Sequence, residues 1–511
     1  MNLRDILSAL SCNPESLQAL DLSGNNGRVP ANAVPDIIHF CTGLKELNLG
    51  GCLIGTVPGP LIPCESLERL SQLRELDISQ YKVNDATILD LEEYLLHGSS
   101  QYDLGQGSTW TLRRLALNNC GITGKQAAKL FNAIGEDRDF DLSLNGNPLE
   151  EGIEYLAHSL RHNRGPKELH MDMVEFRDEV NYCTLIKALT ATQYLTFLSL
   201  VGTGPIPPAG ESLQPETCEA LERFFAYNTS VRYLNYSGYK GKLDEGQMAP
   251  GFGHSLRGLA DNNTLTHLWI RNQNLHDDIG TLGTALRKNR TLQVLDCQNN
   301  GFNMTTLQFL TESVKENYTL THCPFTVEET EKIWIGIRDK IRGPRTGLDS
   351  KRPGDSMLIA REAMLKEHYE ALLAELQHYL ERNRRLQHEA AATRASGPIS
   401  EQRHVEIPEG AWMARGERSS SDEEVGDGTP KPRQVRRQTI RSSGIAINTS
   451  LATPYQVLPE EGMESPTETI GPVSGMSVSP PEATTPTTPD DASFEKMVKE
   501  FGNVGFETRL D

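Results

Sequence analysis

The chain has 511 residues, with 69 acidic against 50 basic side chains and a net charge of −19. That balance argues against nucleic acid as a partner and against nonspecific attachment to an anionic membrane. No apolar run reaches the roughly 20 residues of a membrane span, so no direct membrane insertion is expected.

The opening MNLRDILSAL lacks the basic flank and long apolar core of a secretory signal. A cytoplasmic protein is therefore expected, and the glycosylation sequons at Asn228 and Asn235 carry no meaning without a secretory route. The nine cysteines are scattered, with none beyond Cys323. No CxxC pair or Cys/His cluster occurs along the chain, so reduced structural thiols are expected, with no metal and no cofactor.

A strand signature, Leu-x-x-Leu-x-Leu or a close variant, starts at residues 17, 44, 73, 112, 139, 166, 195, 231, 265, 292 and 320. Successive starts lie 27 to 39 residues apart, around a base period near 28. This period predicts an α/β fold, a leucine-rich repeat solenoid or horseshoe of about eleven repeats over residues 1–325. Amphipathic helices are expected between strands, for example over 124–136, 152–163, 217–228, 251–262 and 310–317. Several end in Asn just before the next strand, as suits a helix terminus. No unit can bury its apolar face alone; the stack does so together. A helix-like stretch before Leu17 has no polar cap, so either it is an adapted cap itself or a preceding domain covers that edge.

After Cys323-Pro-Phe325, residues 326–342 read as a capping helix with Trp334, Ile337 and Ile341 on one side. Residues 343–355 form a basic Gly/Pro-containing linker. A long helix is expected over 356–395, with Leu358, Leu365, Leu372, Tyr379 and Leu386 at heptad d positions. Glu362, Tyr369, Leu376, Asn383 and Ala390 take the a positions. Two readings stay open: a coiled-coil homodimer through 356–395, or a helix folded back over the last repeat. Residues 396–511 are a Ser/Thr/Pro-rich tail that cannot bury enough apolar surface to fold, and are expected to be disordered with short motifs.

The strands place alternate residues on the inner face of the curve. The early ones offer Asp21, Glu46, Glu75, Asp77, Asp141, Glu168 and Asp172. The later ones offer Phe197, Tyr233, His267, Trp269 and Arg271, an aromatic stripe with an arginine that suits protein binding. In the tail, Lys431, Arg433, Arg436, Arg437 and Arg441 form a basic motif behind the acidic run ending at Glu424. Phosphorylation candidates are Ser421 in that run, Thr439 after Arg436-Arg437, and Ser465, Ser479, Thr485 and Thr488 before prolines. A phosphate at Thr439 would place about −2 charge inside the basic cluster. Phe494, Met497, Val498 and Phe501 share one helical face, the pattern of a helix-in-groove ligand. There is no P-loop, no GxSxG and no HExxH, so no catalytic residues and no enzyme are expected.

LNNCGITG (117–124), FFAYNTSVRYLNYSGY (224–239), FGHSLRGLADNNTLTHLWI (252–270) and TLTHCPF (319–325) together resemble the later repeats of the CARMIL family. The segment from Leu376 to Asn383 is similar to the Tyr-Leu-x-Arg-Asn helix that follows the array there. The resemblance covers about residues 110–390 and implies a non-enzymatic regulator of actin filament organisation at the cytoskeleton or cell cortex. Its partners would be actin capping protein or the actin-nucleating machinery. Relatives carry a pleckstrin-homology domain before the repeats, and none is expected in the residues ahead of Leu17. Thr429, Lys431, Pro432, Arg433, Arg436 and Arg437 echo the family's capping-protein motif only in part. The alternative is a repeat-type regulator of a GTPase or of a protein phosphatase.

Overall fold

The computed structural model describes residues 15–25, 28–103, 111–135, 139–205, 211–240, 245–342 and 355–395. Ten three-residue strands form one parallel sheet in strict chain order: β1 Ala19–Asp21, β2 Glu46–Asn48, β3 Glu75–Asp77, β4 Arg114–Ala116, β5 Asp141–Ser143, β6 Glu168–His170, β7 Phe197–Ser199, β8 Tyr233–Asn235, β9 His267–Trp269 and β10 Val294–Asp296. The segment of the last signature adds one parallel bridge, Val294 to His322.

The register aligns the middle leucine of every strand, from Leu20 and Leu47 through Leu268 and Leu295. Apart from Leu20, these leucines are at most 1% exposed. Burying each contributes about 1.5–3 kcal/mol. A three-residue strand makes too few ladder bonds to persist alone, so this column of leucines holds the sheet together.

Helices return the chain between strands: α1 Val34–Phe40, α2 Cys64–Arg69, α3 Asp85–Asp103, α4 Gly124–Ile134, α5 Ile153–Arg161, α6 Glu179–Thr190, α7 Pro215–Tyr227, α8 Phe252–Ser255 and α9 Ile279–Lys288; α10 Met304–Glu316 leads to the bridge at His322, and α11 Val327–Arg342 and α12 Asp355–Ala395 follow it. Two starts are fixed by reciprocal capping boxes, Thr123 with Gln126 on α4 and Asn303 with Thr306 on α10. Strands pair about 4.8 Å apart, whereas helices pack about 8–10 Å apart. Each added unit therefore bends the stack toward the strands, and the sheet lines the inner side. Among the described residues all eight cysteines are unpaired, and seven of them are buried. Among the same residues no helix is long and apolar enough to cross a membrane.

The asparagines that close the helices form a second ladder. Asn228, Asn262, Asn289 and Asn317 are each 0–6% exposed. Each side-chain amide donates back to the preceding unit: Asn228 to the Leu189 carbonyl at 2.8 Å, Asn262 to Phe225 at 2.7 Å, Asn289 to Leu259 at 2.7 Å and Asn317 to Leu286 at 2.8 Å. Each side-chain oxygen accepts two backbone N–H groups of its own turn, as Asn289 does from Thr291 at 3.0 Å and Leu292 at 2.8 Å. These residues satisfy backbone groups that the end of a helix leaves unpaired. The sequon at Asn228 is explained by this role, since its amide is committed inside the stack.

The final rung is supplied by α12. Asn383, fully buried, donates to the carbonyls of Asn317 at 3.0 Å and Leu320 at 2.7 Å. Leu380-Glu381-Arg382-Asn383 thus stands in for the Leu286-Arg287-Lys288-Asn289 of a repeat, with the leucine and the asparagine buried in both. Around it Arg382 donates to the Asn317 and Lys315 carbonyls, Arg384 to Thr321 and Gln387 to Thr319. Tyr369, Leu372, Leu376 and Leu380 are buried against the rest of the unit, and the Tyr369 hydroxyl donates to the Thr330 carbonyl at 2.9 Å. Arg342 pairs with Glu362 at 2.8 Å. Of the two sequence readings for this helix, the chain adopts the one folded back over the last repeat. The heptad positions Tyr369, Leu372, Leu376 and Asn383, which suited either reading, are buried within the same chain. An intramolecular face needs the same apolar period as a pairing seam, so the heptads could not separate the two.

Candidate protein-binding face

Side chains alternate along each strand, so the first and third residues of every triplet face inward of the curve while the leucine packs behind. Parallel register then arranges them in rows. One row runs Glu46, Glu75, Arg114, Asp141, Glu168, Phe197, Tyr233 and His267. The row changes from mostly acidic to aromatic at Phe197. The neighbouring row brings in His170 and Trp269.

The rings touch one another. His170 and Phe197 have centroids 4.8 Å apart, Tyr233 and His267 4.7 Å, and His267 and Trp269 5.9 Å. Phe197, Tyr233, His267 and Trp269 are half-buried, so each stands on a strand with part of its ring exposed. The structure thus brings these four sequence-predicted residues together. Arg271, grouped with them, is engaged differently: its Nε and Nη2 both lie 2.6 Å from the Asp296 carboxylate, which is buried. It closes an ion pair at the edge of the stripe and is not a free cation there.

Beside the rings lies a polar knot. Arg114 Nε is 3.2 Å and His170 Nε2 3.4 Å from the Asp141 carboxylate. Ser199 Oγ donates to Asp172 at 2.5 Å and the Val201 N–H at 2.8 Å. Burial opposes charge on His170, but the Asp141 carboxylate, with Asp172 behind it, outweighs burial and lifts its pKa above the ordinary value. Burial pushes Glu168 up, with Asp141 adding to it. Burial also pushes Asp172 up, against the hydrogen bonds from Ser199 and Val201. At the other end, burial and then the neighbouring His322 push His267 down to about 4.

These shifts give a pH prediction. A histidine whose folded pKa is raised contributes stability that is fully present below its unfolded pKa, about 6.5. That stability is lost as pH rises through the folded value. His267, with a depressed value, acts in the opposite direction and below about 6.5. Between pH 6.5 and 8.5, wild type is therefore expected to lose more of its urea midpoint than His170→Gln. Parallel slopes for the two proteins would show that the knot does not bind the proton.

The tail residues Ser421, Lys431, Arg433, Arg436, Arg437, Thr439, Arg441, Ser465, Ser479, Thr485 and Thr488 lie outside the described residues, as do Phe494, Met497, Val498 and Phe501. Sequence reasoning missed His170, although its place two residues after Glu168 on an alternating strand was the available signal. It also expected no metal-ligand cluster, because linear spacing shows none. Folding nevertheless brings Cys64, Glu68 and His97 together, with their ligand atoms within 4.8 Å of one another. Cys64 and Glu68 sit one turn apart on α2, and α3 of the next unit supplies His97.

No family model matches the chain, and no curated protein matches it. Among solved structures it is similar to Rad7 from yeast, solved in complex with Elc1. That match has 16% identity over 70% of this chain and 89% of that one, with a TM-score of 0.35. It is also similar to the tropomodulin C-terminal domain of Caenorhabditis elegans, at 10% identity, 48% and 98% coverage and a TM-score of 0.24. A third likeness is to TLR13 in complex with ssRNA13, at 15% identity, 58% and 36% coverage and a TM-score of 0.29.

Proposed function

We propose that this chain is a non-enzymatic scaffold that binds another protein on the inner sheet face, with the rings of β7 to β9 as its anchor. The observation that supports the reading is the contiguity of Phe197, Tyr233, His267 and Trp269 on adjacent strands. Rings held on strands have little rotamer freedom left to lose on association, and Trp and Tyr dominate the energetics of protein interfaces. The acidic row beyond Phe197 favours a partner with a basic patch next to its apolar contact.

The CARMIL resemblance supplies the setting, which is actin filament organisation, with actin capping protein or the actin-nucleating machinery as partner. The basic motif from Lys431 to Arg441 would act as a second docking segment. Titration of the full chain with purified capping protein, and separately with the purified actin-nucleating complex, tests both statements. Binding of one of them is expected, weakened at least about thirty-fold by the double variant Tyr233→Ala, Trp269→Ala, the loss of about 2 kcal/mol typical of interface anchors. An affinity unchanged in that variant but reduced by Arg436→Ala, Arg437→Ala would move the binding site to the tail. Absence of binding to either partner would remove the actin setting.

A further inference from the structure

We propose that Cys64, Glu68 and His97 form a zinc-binding site that ties α2 to α3 on the helical side of the array. The Cys64 sulfur, Glu68 carboxylate and His97 ring nitrogen lie within 4.8 Å of one another, and His97 Nδ1 is 3.0 Å from Glu68 Oε1. A tetrahedral zinc with bonds of about 2.0–2.3 Å needs ligand atoms about 3.5 Å apart. Small side-chain rotations close that gap, because His97 is half-exposed and Glu68 stands on a helical surface.

The donor set suits the ion. Thiolate, imidazole and carboxylate together match a borderline-soft cation such as zinc, and poorly match calcium or magnesium. An outer partner is also in place. Glu93 lies one turn before His97 on α3, with its carboxylate 3.9 Å from His97 Nε2. A carboxylate behind a ligating imidazole fixes the ring and raises its basicity. Cys64 itself is 6% exposed and its N–H donates to Asp90 of α3 at 2.9 Å, which fixes the start of α2 beside the site. Glu65 and Glu68 of α2 and Asp90 and Glu93 of α3 add negative charge to the two helices that the ion would join, which favours a divalent cation there. Zinc would displace the thiol proton to solvent, take Cys64, Glu68 and His97 as ligands, and leave the fourth position to water.

Zinc and cobalt salts added to the full-length chain under reducing conditions test this. Cobalt is expected to give a thiolate-to-metal charge-transfer band that zinc abolishes. The band should be absent in Cys64→Ser and weakened in His97→Ala. Zinc should also raise the urea midpoint of wild type, by mass action on the folded state, and raise that of His97→Ala by much less. His97 is on the surface, so its variant folds and carries the test even where Cys64→Ser loses core packing. A cobalt band that persists in Cys64→Ser, or a zinc shift of equal size in His97→Ala, would overturn the assignment.

Discussion

Replacing Asn289 with alanine is expected to destabilise the array by about 3–5 kcal/mol, from the loss of several buried hydrogen bonds at about 1–3 kcal/mol each. The side chain is 1% exposed. Its amide serves the carbonyls of Leu259 and Asn262, and its oxygen serves the N–H groups of Thr291 and Leu292. Alanine leaves the Thr291 and Leu292 N–H groups without their acceptor and removes one donor from each carbonyl, of which Leu259 keeps the Asn262 N–H at 3.4 Å. The Thr291 hydroxyl, which donates to the Asn262 carbonyl at 3.2 Å, offsets one of them. A domain stability of about 5–15 kcal/mol makes this a large fraction of the total. The effect should begin locally, because each unit of a stack contacts only its neighbours. Urea unfolding followed by circular dichroism should show a lower midpoint and an early phase. The neighbouring exposed Asn263→Ala should change stability by less than about 0.5 kcal/mol. Equal midpoints for the two variants would mean that the asparagine ladder is decorative.

Leu376→Asp is expected to release α12 from the array. Leu376 is fully buried between Leu372 and Leu380, in the same face as Tyr369 and Asn383. An ionised carboxylate there is cut off from water, and the desolvation of a buried charge costs several kcal/mol. The docking that it opposes rests on four apolar side chains, worth about 1.5–3 kcal/mol each before ordering entropy, and on the hydrogen bonds of Arg382 and Asn383. Undocking is the cheaper response, since it returns the carboxylate to water while the repeats stay folded. Hydrogen exchange should rise across Leu372 to Arg384 and at the carbonyl-paired end of α10, with the amides of β4 to β8 unchanged. Met364→Asp, on an exposed position of the same helix, should leave exchange as in wild type. Unaltered protection in Leu376→Asp would contradict the docked arrangement.

The solenoid was legible because its cause is local and periodic. A leucine at each strand centre recurs at nearly constant spacing, and one strand register then fixes all the others. The ring stripe was legible for the same reason, since alternation on a known strand decides which side chains point inward. What Arg271 does was not legible, because its partner Asp296 belongs to the next unit and its burial is a property of the fold. The fate of α12 was hidden by degeneracy: a heptad pattern describes any apolar helical face, whether it meets a copy or its own chain. The clue was present in Leu380-Glu381-Arg382-Asn383, which repeats the apolar-x-x-Asn close of the array's helices, as in Leu286-Arg287-Lys288-Asn289. The cluster of Cys64, Glu68 and His97 had no linear signal, because its members come from two stacked units.

Hydroxyl-radical footprinting of the full-length chain, alone and saturated with the partner found by titration, tests the binding face most directly. The account predicts that Phe197, Tyr233 and Trp269 are oxidised readily in the free chain and protected in the complex, while exposed Tyr155 and Tyr227 on the helical side react alike in both. Protection confined to the helical side or to residues beyond 395, with the three inner-face rings reacting equally in both states, would contradict it.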